Sequence, residues 1–191
     1  MEIEIVEARE SGEAVIRNLF PLYIHDLSEL TGWDVPDDGL FAASDLLVQY
    51  WGRKPRNPRF RWGEGLCGFP FLVRVDGKLA GFVLIREMRK DPDLYDVGEF
   101  FILRKFRGKG VGKEAAHRAF DRFPGEWQVR ELLENTPAQA FWRRIIDEYT
   151  GGDYSETREV FPPFPYQMVV QRFSNADGRS LDSGRRREDG P

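Results

Sequence analysis

The sequence predicts a single α/β domain of the α+β type, built on one mixed and mostly antiparallel sheet. The predicted elements follow the order β-α-β-β-β-α-β-α-β-β. Asp76-Gly77 lies between two apolar runs, which is typical of an antiparallel hairpin. A strand from Tyr95 to Leu103, a glycine-rich stretch, a helix and a further strand form the one βαβ unit of the chain, and its two strands should be parallel.

The remaining elements follow from local patterns. Residues Glu2 to Val6 alternate as a first strand, and apolar residues from Ile16 to Leu30 recur at helical spacing. Pro21 should kink that helix or split it in two. Residues 52–70 hold many Gly, Pro and Arg residues and predict a long loop. The other predicted segments are the hairpin strands Phe71–Asp76 and Lys78–Glu87, the helices Lys113–Phe123 and Thr136–Glu148, and the strands Trp127–Leu133, Tyr154–Phe161 and Tyr166–Phe173.

Composition supports one soluble domain over residues 1–173. The 191 residues are 41% hydrophobic and 14% aromatic, which suffices for a full core. Residues 174–191 contain mostly Gly, Ser, Asp and Arg without periodicity, and predict a disordered tail. No apolar run approaches the roughly 20 residues of a membrane span, and the acidic N-terminus has no signal-peptide character. The lone Cys67 suits a reducing cytoplasm, and the net charge of −4 disfavours a general nucleic-acid binder.

The stretch Arg107-Gly108-Lys109-Gly110-Val111-Gly112 predicts an anion site. It follows an apolar strand and opens into a helical pattern. Glycines let backbone N–H groups turn towards a ligand at a helix start, where the partial positive charge of the helix attracts anions. Arg107, Lys109 and Lys113 add side-chain charge, so the stretch is suited to a pyrophosphate. A glycine-rich helix cap without any ligand is the alternative interpretation.

Three nucleotide-binding motifs compete for these residues. A P-loop is excluded, because Arg107 replaces its first Gly and Glu114 replaces its Ser or Thr. A dinucleotide fingerprint matches at Gly110, Gly112 and Ala115, but it belongs in a repeated βαβ array that this chain lacks. The third pattern, Arg/Gln-x-x-Gly-x-Gly/Ala, is filled by Arg107, Gly110 and Gly112. It resembles the acetyl-coenzyme A signature of the GCN5-related N-acetyltransferases, the GNAT family.

The resemblance covers roughly residues 2–173 and includes a second motif. Asn135-Thr136-Pro137-Ala138 looks like the family's Asn-x-x-Ala, which contacts the pantetheine arm. The family fold implies helices on both faces of the sheet, with the parallel fourth and fifth strands splayed around that arm. It further implies acetyl-CoA as cosubstrate, no metal, and a cofactor site made of Phe101, Ile102, Leu103, Arg107, Gly108, Lys109, Gly110, Val111, Gly112, Lys113, Asn135, Ala138 and Trp142.

The resemblance also suggests the catalytic groups. Many relatives carry a carboxylate where Glu99 stands, and its apolar neighbours Phe100 and Phe101 should raise its pKa towards that of a general base. A partly exposed strand Glu paired with an Arg is the alternative. Many relatives place a Tyr seven residues after the Asn, where this chain has Trp142. An indole donates a hydrogen bond but not a proton, so the general acid is unassigned, and the thiol can leave as thiolate.

The acceptor is suggested by charge alone. Six acids and no Lys or Arg lie between Asn18 and Gly52, in the segment that commonly forms one wall of the acceptor groove. The candidate acceptor residues there are Tyr23, Asp26 and Trp33. A negative wall suits a cationic amine, although a solvated acidic surface explains the same pattern. The basic loop that follows, residues 53–61, can pair with those acids, bind RNA or a phosphorylated partner, or approach the cofactor's 3′-phosphate.

Two functions therefore stand beside each other. The first is transfer of an acetyl group from acetyl-CoA to a primary amine of a small molecule or peptide, by direct attack in a ternary complex. The second is a non-catalytic acyl-CoA-binding protein that regulates or scaffolds a partner. The sequence names neither the amine nor the length of the acyl group. It is compatible with a homodimer and leaves the oligomeric state open.

Overall fold

A computed structural model describes residues 1–41, 45–56, 66–88, 94–161 and 166–176. The predicted element order is confirmed. The strands are β1 (Ile3–Glu7), β2 (Leu66–Val75), β3 (Lys78–Met88), β4 (Leu94–Ile102), β5 (Glu126–Leu132), β6 (Ser155–Val160) and β7 (Gln167–Ser174), and the helices are α1 (Glu10–Thr31), α2 (Val111–Arg122) and α3 (Thr136–Thr150). Short 3-10 turns span Asp45–Trp51 and Arg104–Phe106.

The seven strands form one mixed sheet in the order β1-β2-β3-β4-β5-β7-β6. Within the described part of the chain, β4 and β5 are its one parallel pair, joined through the crossover helix α2. The remaining pairs are antiparallel. The hairpin prediction is also confirmed, because Asp76 and Gly77 both have positive φ, as a two-residue turn between twisted strands requires. The predicted fold class is therefore correct.

Helices cover both faces of the sheet, each over its own apolar cluster. On one face α1 packs Ile16, Leu19 and Phe20 against Phe82 and Leu84 of β3. On the other face α2 and α3 pack against alternate strand residues, which include Val83, Ile85, Val97, Trp127 and Val129. Because successive residues of β3 are buried on opposite sides, this strand is the centre of the molecule.

Two predictions need correction. The hairpin strand expected from Phe71 begins at Leu66, so the long loop is shorter than predicted, and its residues 57–65 lie outside the described part. Pro21 lies inside one continuous helix, so the helix is not split there. The buried residues that precede Pro21 hold the helix on the sheet, which offsets the hydrogen bond that proline removes.

The last strand extends one residue beyond the predicted boundary at residue 173. Strand β7 runs to Ser174, and the Asn175 side chain donates to Phe120 O and accepts from Gly125 N. The predicted tail from 174 onwards lies mostly outside the described residues. In the described part, none of the helices is long and apolar enough to cross a membrane.

Candidate active site

Strands β4 and β5 separate halfway along their length. They pair from Leu94 opposite Glu126 to Val97 opposite Val129, and the described pairing stops there. Beyond that point β4 continues to Ile102 beside β3, while β5 continues to Leu132 beside β7. The backbone of β4 that faces the gap therefore has no strand partner on that side among the described residues. An extended ligand can complete such an edge as an additional strand would.

A β-bulge lies where the two strands part. Leu84 of β3 is opposite Glu99, but Ile85 is opposite Val97, so Gly98 is the extra residue of β4. A Cβ atom at Gly98 would stand 2.1 Å from the Tyr50 hydroxyl oxygen and 2.9 Å from Arg86 Nε. Any side chain at position 98 would therefore force Tyr50 and Arg86 to shift. Sequence analysis missed Gly98 and Tyr50, because neither belongs to a recognisable motif.

The glycine-rich loop presents exposed backbone at the start of α2. Residues 107–110 are all exposed, and Gly110 is the N-cap of the helix with φ of 78°. A Cβ atom at Gly108 or Gly110 would meet no other atom within 4 Å, so the loop is open. The first helical bond runs from Glu114 N to Gly110 O, and the N–H groups of the three preceding residues point out of the helix end. This arrangement suits a doubly charged anion.

Two of the three basic side chains predicted to bind an anion at the glycine-rich loop are bound to other groups of the protein. Arg107 donates from Nε to Ile102 O and from Nη2 to Asp26, each over 2.6 Å. Lys113 forms an ion pair with Glu148 of α3, with 2.5 Å between Nζ and Oε2. Lys109 is exposed and makes no ion pair with another described residue. The backbone and Lys109 are thus the immediate source of positive character at the glycine-rich loop.

Glu99 lies beside the gap on the α1 face of the sheet. Burial of its carboxyl raises its pKa, and this effect exceeds the opposing influence of Arg86 and of a hydrogen bond from Tyr23. The pKa of Tyr23 is raised well above its usual value, first by burial and then by the charge of Glu99, so its hydroxyl remains the donor. A carboxylate with a raised pKa beside an open strand edge can accept a proton from a substrate amine.

A buried ionic cluster lies on the same face of the sheet as Glu99. Asp96, with no exposed surface, accepts from Arg130 Nε and Nη2 over 2.8 and 2.7 Å, and from Arg86. Burial alone would raise the pKa of Asp96, but the two arginines hold it below its usual value. The three residues stand on β3, β4 and β5, so the cluster joins the strands on both sides of the gap. Sequence analysis missed it, because the pairing depends on strand register.

The second predicted motif lies at the start of α3. The Asn135 side chain is the N-cap and accepts from Ala138 N over 3.2 Å. Trp142 is buried on the face opposite Glu99, where its ring meets Phe100 edge-on at 4.9 Å. Phe141 packs over Gly112 of the glycine-rich loop, because a Cβ there would be 3.2 Å from the Phe141 ring. The three phenylalanine and tryptophan rings thereby connect β4, α3 and the glycine-rich loop.

The predicted acceptor residues occupy three different environments. Tyr23 packs edge-on against Phe82 and Phe101 in the α1 cluster. Asp26 is held by Arg104 and Arg107, whereas Trp33 is 41% exposed in the loop after α1. Arg53 of the basic loop pairs with Glu13, which lies on α1 outside the predicted acidic segment. Residues 57–61 of that loop lie outside the described part of the chain. No group of three potential metal-ligating side chains occurs among the described residues.

Comparisons with known proteins agree with this geometry. An acetyltransferase (GNAT) family model matches residues 32–146, which is more than half of the chain. A search of curated proteins found no significant match. The fold is similar to an acetyltransferase from Thermus thermophilus, with a TM-score of 0.60 and 13% identity over 91% of this chain and 97% of that one.

Two further solved structures show the same fold. One is a GNAT-family acetyltransferase from Staphylococcus aureus, with a TM-score of 0.57, 12% identity, and coverage of 91% of this chain and 99% of that one. The other is Arabidopsis thaliana Naa50 in complex with a bisubstrate analogue, CoA-Ac-MVNAL, with a TM-score of 0.55, 13% identity, and coverage of 91% and 99%. The family model matches more than half of the chain, and the parallel strands β4 and β5 of the chain separate beyond Val97. We conclude that the chain belongs to the GNAT family of acetyltransferases.

Proposed function

We propose that this protein is an N-acetyltransferase that transfers an acetyl group from acetyl-CoA to a primary amine of a small molecule or peptide. The observation that carries the proposal is the gap between β4 and β5, which opens beside the exposed helix start at Gly110. A phosphate group and an extended amide chain need these two features side by side. The residues present therefore fit CoA.

In this proposal the chain binds CoA chiefly through its backbone. The N–H groups of residues 110–113 and the ammonium of Lys109 hold the pyrophosphate. The unpaired edge of β4 from Gly98 to Ile102 pairs with the amides of the pantetheine arm, and Asn135, Ala138 and Trp142 flank it from α3. Acetyl-CoA supplies an activated acetyl group as a thioester. A β4 N–H near the bulge polarises its carbonyl as a single hydrogen-bond donor.

Glu99 is the proposed general base. The amine must be neutral to attack, so its proton passes to the Glu99 carboxylate while the nitrogen–carbon bond forms and the carbon–sulfur bond breaks. CoA leaves as the thiolate, whose moderate basicity makes a proton donor dispensable. The Glu99 pKa, raised by burial, makes it a stronger base than an exposed Glu. Tyr23 and Arg86 oppose that rise, but burial outweighs them.

Trp142 favours a second candidate function. It occupies the position of the Tyr found in many relatives, and it cannot protonate the leaving sulfur. A protein that binds acyl-CoA without turnover, as a regulator or scaffold, is compatible with this replacement. The two functions make different predictions for one assay.

The experiment measures thiol release from acetyl-CoA with a panel of amines. The panel contains polyamines, aminoglycosides and short peptides with free N-termini, because a neighbour binds a CoA–peptide analogue. Amine-dependent release that Glu99→Gln abolishes supports the transferase. Calorimetric binding of CoA without release for any amine supports the second function, and absence of CoA binding contradicts both.

A further inference from the structure

The Asp26 carboxylate joins α1 to the glycine-rich loop. Its Oδ1 accepts from Arg104 Nη2 and its Oδ2 accepts from Arg107 Nη2, both over 2.6 Å. These arginines lie 78 and 81 residues away along the chain. The Asp26 side chain is 21% exposed, and although partial burial would raise its pKa, the hydrogen bonds from Arg107 and Arg104 lower it. Asp26 therefore stays ionised and holds both guanidinium groups.

Arg107, which binds Asp26, also contacts the end of β4. Arg107 Nε donates to Ile102 O, and its guanidinium lies 5.6 Å from the centre of the Phe101 ring. Arg107 thus holds the last residues of β4, its own loop and α1 in one arrangement. A displacement of the loop moves Arg107, and with it the carboxylate of Asp26.

The same turn of α1 reaches the proposed base. Tyr23, three residues before Asp26, lies close enough to Glu99 for its hydroxyl to lower the pKa of that carboxyl. Residues three apart lie on the same side of a helix. This turn of α1 therefore meets β4 at Glu99 and meets the glycine-rich loop at Arg107. The C-terminal half of α1 has few buried residues, since those of the helix end at Phe20. Tyr23 and Ile24 of this half are partly buried against the α1 cluster, and the ion pairs at Asp26 attach it further to the segment that follows β4.

We infer that Asp26 is a positioning residue that couples CoA binding in the glycine-rich loop to the order of the C-terminal half of α1. The inference rests on the proposed function in taking CoA as the ligand of the loop and Glu99 as the base. CoA fixes the loop, Arg104 and Arg107 carry that restraint to Asp26, and α1 then holds Tyr23 and Glu99 ready for the acceptor. The structure thus assigns Asp26 to coupling between the two substrates, in place of direct contact with an amine.

The test is hydrogen exchange of residues 22–31, followed by mass spectrometry with and without CoA. In the wild-type protein we expect CoA to slow exchange in this segment about fivefold or more, the lower end of ordinary coupling between sites. Asp26→Asn should reduce that protection to less than about twofold, Asp26→Glu should restore most of it, and Arg104→Gln should give an intermediate value. Glu29→Gln, which changes an exposed acid of the same helix, should behave as wild type.

Calorimetry with CoA on the same variants separates the possible failures. If CoA binds and protects residues 22–31 equally in the wild type and in Asp26→Asn, the inference is wrong while the proposed function stands. The same holds if CoA binds but protects that segment in neither protein. If CoA does not bind the wild type, the proposed function fails and the inference fails with it. Should Asp26→Asn be unstable, the intermediate result for Arg104→Gln decides the matter.

Discussion

Glu99 is the residue on which the proposed chemistry depends. A base must be ionised, so turnover should fall as the pH falls through the raised pKa of Glu99, which gives an acidic limb. Glu99→Gln should lower kcat about 100-fold or more, remove this limb and leave CoA affinity nearly unchanged. The measurement is a pH–rate profile with the best amine of the panel. An unaltered rate or limb would show that Glu99 is not the base.

Tyr23 should tune that base in a predictable direction. Its hydrogen bond favours the ionised form of Glu99 and so lowers the pKa of Glu99. Tyr23→Phe should therefore raise that pKa and move the acidic limb to higher pH, while the rate well above the limb changes little. Tyr149→Phe, which removes a hydroxyl bonded to Asp121, is the matched control and should leave the profile unchanged. A limb that stays in place or moves to lower pH contradicts the proposed geometry.

Single functional residues could be predicted from the sequence where they belong to a local motif. They could not be predicted where their contacts depend on the register of the strands. The glycines at 108, 110 and 112 follow one another in the chain, so their role at a helix start could be inferred. Asp96 meets Arg86 and Arg130 only because three strands are aligned in a particular way. Each of the three strands carries a charged residue that the sequence shows, but the partners of these residues could not be assigned without the sheet.

Strand β5 contains a carboxyl whose burial should reduce the stability of the protein at alkaline pH. Burial and, second, the negative charge of Glu156 raise the pKa of Glu131 to about 8, although Arg143 opposes both. The folded state thus binds this proton more tightly than the unfolded state, where the pKa is near 4.5. Stability due to Glu131 is fully present below pH 4.5 and is lost as the pH rises to about 8.

Glu131→Gln should remove this pH dependence. Each unit of pKa difference corresponds to roughly 1.4 kcal/mol, so the variant should gain melting temperature over the wild type at pH 8.5 and gain far less at pH 5. The measurement is thermal unfolding at the two pH values. Glu126→Gln, an exposed acid of the same strand, serves as control. Equal effects of Glu131→Gln at both pH values would argue against the raised pKa.

Elements were easier to predict than their ends. The order and type of all ten main elements followed from periodicity and from the turn at Asp76-Gly77. The start of β2 was missed because Leu66 to Pro70 combine glycine and proline with apolar residues, a composition that also suits a loop. Antiparallel pairing with β3 nevertheless extends that strand, as Gly68 opposite Arg86 and Pro70 opposite Leu84 show. Such pairing is a tertiary effect that local propensity does not contain.

At the scale of the whole molecule, the domain should end just after β7. Asn175 forms three hydrogen bonds with Phe120 and Gly125, which attach the end of β7 to the end of α2 and to the residue before β5. We predict that a chain truncated after Ala176 keeps its melting temperature within about 2 °C, because the composition of residues 177–191 is that expected of a disordered tail. Truncation after Phe173 should lower it by about 5 °C or more, since these bonds are lost. Differential scanning fluorimetry compares the two, and equal values would contradict this boundary.

The central claim is that CoA is held by the exposed helix start at Gly110 and by the gap between β4 and β5. Calorimetric titration of CoA into Gly110→Glu, with Gly151→Glu as matched control, tests it most directly. Both glycines have positive φ, cap a helix and face open space, so both variants carry the same backbone strain of about 1–2 kcal/mol. We expect Gly110→Glu to lose CoA binding and Gly151→Glu to keep it. Equal affinity of the two variants would contradict the account.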